Sequence, residues 1–91
     1  MVAKKYKRIN DIYAILSEER RRDLLEFLRY KKATTEEVLN YSHTVDRRTT
    51  FRDLNEMKDA GLIAREDSAK YKITEFGKRV HYNIKNLEKS I

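Results

Sequence analysis

Residues 44–77, TVDRRTTFRDLNEMKDAGLIAREDSAKYKITEFG, restrict the fold more than any other stretch, because the hydrophobic period changes twice within them. Asp46 is an N-cap residue behind the apolar Val45. Residues 47–60 then place Thr50, Leu54 and Met57 on one face of a helix. Gly61 supplies a left-handed stop. From there the period falls to two. Residues 62–66 and 70–74 read as short strands around Asp67-Ser68-Ala69, with Tyr71 and Ile73 on one face and Lys70 and Lys72 on the other. Arg65 is expected outward with the lysines. Thr74 caps a last helix over 75–90.

Proline is absent and glycine occurs only at Gly61 and Gly77, so breaks elsewhere must come from Asn, Ser or Asp. Upstream, Ile9, Ile12, Tyr13 and Leu16 mark a short amphipathic helix over 6–16, behind a basic tail (1–8) carrying Lys4, Lys5, Lys7 and Arg8. That tail either reaches along a phosphate backbone or into a minor groove, or is simply solvated. Ser17 is the expected N-cap of the next helix, whose apolar face is Leu24, Leu25 and Leu28 with Phe27 beside them. Its run Arg20–Arg22 is expected to be a solvated face. Thr34 and Glu37 fit a capping box for a helix over 35–41, followed by the polar turn Tyr41-Ser42-His43-Thr44. A short helix, a short turn and a second capped helix is the helix-turn-helix pattern.

The helix over 47–60 carries the functional signal. Arg48, Arg52 and Asn55 fall opposite its apolar stripe, with Arg47 at the exposed N-terminal end. A guanidinium donates two parallel hydrogen bonds to guanine O6 and N7, and an Asn side chain matches adenine in the same way. Phe51 lies between the faces, either as peripheral core or against a thymine methyl. The plain alternative is an amphipathic helix whose arginines pair with Asp46, Asp53 and Asp59. Against it, the arginines cluster in the first half, where the helix dipole disfavours cations and where recognition helices enter a groove. The net charge of +6, from 21 Lys and Arg against 15 Asp and Glu, points to a polyanionic partner.

The chain resembles the winged helix-turn-helix transcription regulators, the broad group with ArsR-, MarR- and PadR-like families, over roughly residues 16–80. Leu54-Asn55-Glu56-Met57-Lys58-Asp59-Ala60-Gly61-Leu62-Ile63 is similar to their L-x-x-L-x-x-x-G-L-I run. Tyr71-Lys72-Ile73-Thr74-Glu75-Phe76-Gly77 is similar to Y-x-L-T-x-x-G, and Thr49-Thr50-Phe51-Arg52 to T-V-Y-R. The resemblance implies a mainly α fold with a small β-hairpin wing and a C-terminal dimerisation helix, with 9–74 as the DNA-binding domain and 75–91 as that helix. It implies Arg47, Arg48, Thr49, Phe51 and Arg52 in the major groove, joined by Asn55 from the helix face. Backbone contacts would come from Thr35, Ser42 and His43, and from Arg65, Lys70 and Lys72 on the wing. Metal-sensing members use cysteine or clustered histidine. Cysteine is absent here, His43 is expected in a turn, and His81 is expected on a helix surface.

The expected function is therefore a homodimeric, sequence-specific regulator that binds double-stranded DNA. Ile9, Ile12, Tyr13, Val80, Ile84, Leu87 and Ile91 form the expected dimer seam, since residues 80, 84, 87 and 91 recur at four- and three-residue intervals. The alternatives are a winged-helix protein-interaction module and an architectural DNA-binding protein with little sequence preference. No paired carboxylates, nucleophile–base arrangement or Gly-rich phosphate loop suggests an enzyme. No cofactor, metal or small-molecule effector is expected. No apolar run approaches membrane-spanning length and residues 1–8 lack a signal peptide's apolar region, so the expected location is cytoplasmic.

Overall fold

The structure, a computed structural model, describes residues 9–90, with side chains over 11–89. The basic tail and Ile91 lie outside the described residues, as does the side chain of Ile9. The described elements run α1 (Ile9–Ile15), α2 (Glu19–Tyr30), β1 (Ala33–Thr34), α3 (Thr35–Tyr41), α4 (Arg47–Asp59), β2 (Ile63–Arg65), β3 (Lys70–Ile73) and α5 (Glu75–Ser90). The protein is mainly helical, with a small antiparallel sheet in the order β1-β3-β2.

One core holds these elements together. Leu24, Leu25 and Leu28 of α2 meet Val38 of α3, Leu54 and Met57 of α4, and Ile63, Tyr71 and Ile73 of the sheet. Ile12 of α1 and Leu16, just after it, close the core. Leu25, Val38, Leu54, Met57 and Leu62 are 0% exposed, and full burial of an aliphatic side chain stabilises by about 1.5–3 kcal/mol.

Local caps decide where the helices start. The Glu37 amide donates to Thr34 Oγ1 at 3.2 Å while Glu37 Oε1 accepts from the Thr34 amide at 2.9 Å, completing the capping box of α3. Asp46 accepts from the Thr49 amide at 3.0 Å and from its hydroxyl at 2.9 Å. Thr74 Oγ1 accepts from the Gly77 amide at 2.9 Å and donates to the Gly61 carbonyl at 2.6 Å, tying the start of α5 to the end of α4. A threonine cap of this kind stabilises by about 1 kcal/mol.

Gly61 takes φ +81°, and the Leu62 and Gly61 amides donate to the Met57 and Lys58 carbonyls, each at 3.0 Å. This is the Schellman closure, which needs a left-handed residue. A Cβ at Gly77 would run into the Leu62 carbonyl oxygen, so the missing side chain lets α5 close onto the start of β2.

Four expectations need correction. Ser17 does not cap α2: the chain winds past Ile15, the Ser17 hydroxyl donates to the Ala14 carbonyl at 2.8 Å, and Glu18 takes the N-cap position without a side-chain bond. The sheet has a third strand, β1, with Ala33 opposite Tyr71 and Thr34 opposite Lys70. Arg65 lies opposite Tyr71 and so shares its face, not that of the lysines, with its guanidinium 5.6 Å from the ring centroid. His81 is buried between α5 and α2, 3.7 Å from Glu26, because its position on α5 turns toward the core.

Candidate nucleic-acid interface

The amphipathic division of α4 is sharp. Thr50, Asp53, Leu54 and Met57 are buried, whereas Arg47, Arg48, Phe51, Arg52 and Asn55 are exposed. The helix is about 20 Å long at 1.5 Å per residue. Phe51 is surface, not core: it is 37% exposed, and the Arg47 guanidinium lies 5.9 Å from its ring centroid. Thr49 is half-buried and its hydroxyl is committed to Asp46.

Asp53 is not a partner for the arginines of α4. Its carboxylate is 1% exposed, yet it is taken by α2. Arg20 Nε donates to Oδ2 at 2.7 Å, and Arg21 Nε donates to Oδ1 at 2.7 Å. Arg20 Nη2 adds a bond to Oδ1 at 3.3 Å, while Arg21 Nη1 also reaches the Ile15 carbonyl at 3.2 Å. Glu18 and Glu56 complete the cluster, 3.1 Å from Arg20 and 3.6 Å from Arg21. The Asp53 hydrogen bond raises the Arg20 pKa further above its ordinary value.

The run Arg20–Arg22 is thus not a solvated face. Arg21 is buried, and Arg22 donates to the Leu16 carbonyl at 2.7 Å. The signal was present in the sequence: helical spacing puts Asp53 on the buried face with Thr50 and Met57. An acid there requires cations from a neighbouring element. Among the described residues, Arg47, Arg48 and Arg52 make no ion pair within 4.0 Å.

The surroundings of α4 are mixed in charge. Asp46 sits at its N-terminus, its carboxyl held below the ordinary range first by the Thr49 amide and then by the Thr49 hydroxyl. Thr35 begins α3 half-buried, Ser42 closes α3 with its amide on the Val38 carbonyl at 2.9 Å, and His43 is exposed in the turn. On the sheet's outer face Lys70 is exposed, while Lys72 lies 3.5 Å from Glu66, which Lys32 also reaches at 3.0 Å. Lys32 first, then Lys72, holds the Glu66 carboxyl below its ordinary range.

Away from α4, an apolar groove of about 220 Å³ runs between α1 and α5, lined by Ile12, Tyr13, Phe76, Val80 and Asn83. Tyr13 is 50% exposed and Leu87 is 54% exposed. The expected seam is divided by this geometry. Ile12 is buried in the core and Val80 and Ile84 both pack against it, so none of the three is free to face a partner fully. Phe76, Val80, Asn83 and Leu87, spaced by four, three and four, form a stripe beside Tyr13 in which Phe76, Asn83 and Leu87 are exposed and Val80 is half-buried.

Among the described residues no helix is long and apolar enough to cross a membrane. No curated protein and no solved structure matches the chain. A family model described as the HVO_A0261 N-terminal domain matches residues 9–91. The chain belongs to the HVO_A0261 N-terminal domain family.

Proposed function

We propose that the protein is a winged helix-turn-helix regulator of transcription that binds double-stranded DNA sequence-specifically as a homodimer inside the cell. The observation that supports this most is the exposed face of α4. Three arginines there make no ion pair within 4.0 Å among the described residues, although Arg48 lies near enough to Asp46 to attract its carboxylate, and the acid in the middle of the helix is turned inward and neutralised from α2. In this reading α3 and α4 are the helix-turn-helix and β2–β3 is the wing. Arg48 and Arg52 donate to guanine edges, Asn55 reads adenine, and Arg47 with Phe51 lies along the groove wall. Thr35, Ser42, His43 and Lys70 approach phosphates. Lys72 contributes less because Glu66 competes for it, and Arg65 contributes through its position beside Tyr71.

The C-terminal helix holds two copies together through the Tyr13–Phe76–Val80–Leu87 face. Two α4 helices then enter successive major grooves about 34 Å apart. Phosphate contacts supply most of the affinity and the arginines supply the discrimination.

Titration of labelled duplexes, selected from a random pool, tests the reading. Arg48→Ala and Arg52→Ala should each weaken binding by about 1–3 kcal/mol, roughly 5- to 150-fold. If neither substitution weakens binding at low salt, α4 is not the reading element. A ratio near one between selected and random duplex would instead favour the architectural role.

A further inference from the structure

An open cleft of about 500 Å³ lies where the end of α2, the end of β3 and the start of α5 meet. Five cations, Arg29, Lys31, Lys32, Lys72 and Lys78, line it against one acid, Glu75. Tyr30 stands at its rim, 74% exposed, with the Arg29 guanidinium 5.6 Å from its ring centroid. The cleft is at the opposite end of α2 from the Asp53 cluster, about 15 Å along the helix axis from Arg20. No residue of α4 lines it.

The lysines are held by carboxylates on three separate elements: Lys31 by Glu37 of α3 at 3.5 Å, Lys32 and Lys72 by Glu66 after β2, and Lys78 by Glu75 of α5 at 3.4 Å. Exposed pairs of this kind are weak and exchange readily for phosphate oxygens. Lys32 and Lys72 meet at one Glu66 oxygen, whereas Lys31 and Lys78 are held by other acids, so the amines line the cleft as three groups and not as one cluster. A row of phosphates suits that spacing better than a single small anion. Counting Glu37 and Glu66 with Glu75, the five cations still exceed the acids by two. The row is also continuous with Lys70, which shares the sheet's outer face with Lys72 two residues along β3.

We infer that the cleft is a second seat for the sugar–phosphate backbone. Duplex that engages α4 and the hairpin continues past the outer face of the sheet and lays one strand into the α2–β3–α5 cleft. The footprint is therefore longer than α4 and the hairpin cover, and the DNA curves toward the protein. This rests on the DNA-binding reading above, and the following comparison separates the two.

The full chain is titrated by fluorescence anisotropy, across a series of salt concentrations, on two duplexes sharing one central site. One ends at the site and the other extends it by about one helical turn, roughly 10 base pairs, on each side. The wild type should bind the extended duplex several-fold more tightly, with a log–log salt slope steeper by about 0.9 for each added phosphate contact. Arg29→Gln with Lys78→Gln should bind the short duplex like the wild type and lose both the affinity gain and the added slope. Arg29→Lys with Lys78→Arg should keep them. Equal wild-type slopes and affinities on the two duplexes overturn the cleft while leaving α4 intact. A gain that survives the glutamine substitutions overturns it too. Failure to bind either duplex overturns the DNA reading and the cleft together.

Discussion

At the scale of single residues, Asp53 has the largest consequence. Removing this buried carboxylate leaves two guanidiniums facing each other with only the more exposed Glu18 and Glu56 beside them. Asp53→Ala should therefore lower stability by about 3–5 kcal/mol, read as a fall in the urea midpoint. Arg21→Ala should cost more than Arg20→Ala, since the Arg21 side chain is 10% exposed and that of Arg20 is 30% exposed. A second prediction concerns acid. The carboxyls of Glu37 and Asp46 are held below their ordinary values, 4.5 and 3.8, in both cases first by a backbone amide at a helix start. A depressed folded-state pKa gives stability that is present above the ordinary value and lost as pH falls through the folded one. Melting temperature should then fall as pH drops below about 4.5. Asp46→Asn should flatten that fall at little cost near neutrality, because Asn caps as well as Asp. The caps at Thr34, Asp46 and Thr74 were legible because each partner lies three residues away. Asp53 was not matched to its partners because Arg20 and Arg21 lie 33 and 32 residues back, and no local period links them.

Elements divide in the same way between what neighbours decide and what the whole chain decides. Helix α3 and the start of α4 follow from their caps, and the end of α4 follows from the Gly61 closure. The two residues of β1 cannot display a period of two, so that strand exists only because β3 offers it an edge. The facing of Arg65 was readable: counting in twos from the buried Ile63 puts it on the inner face, at the sheet's end. The hairpin between β2 and β3 carries one locally strained residue, Ala69 at φ +65°. An L residue there costs about 1–2 kcal/mol, whereas glycine adopts that region freely. Ala69→Gly should raise thermal stability, by up to about 1 kcal/mol after the entropy of the more flexible unfolded chain is subtracted. If it lowers stability, the turn is not under strain.

For the whole molecule, the dimer proposal becomes more specific than the sequence allowed. Helical spacing grouped Val80, Ile84, Leu87 and Ile91, but the way α5 lies on α2 sends Ile84 inward and brings Phe76 to the outer stripe. Ile84→Lys would disturb the protomer's own core and so report on folding as much as on association. Phe76→Lys with Leu87→Lys is the cleaner pair, since both residues are exposed in the protomer. It should shift sedimentation from dimer toward monomer and weaken operator binding while leaving the circular dichroism spectrum unchanged. An unchanged sedimenting mass would remove the α1–α5 face as the interface. The exposed side of α4 was legible from its period alone. The tertiary arrangement that takes up Asp53 was not, because it depends on where α2 lies. That arrangement also limits how the sequence can drift. Loss of either arginine or of the acid leaves the others worse than absent, whereas exchanging all three for apolar side chains can be close to neutral. Positions 20, 21 and 53 should therefore form one heritable unit: among descendants of this gene they are kept together or replaced together, and intermediates are the rarest class.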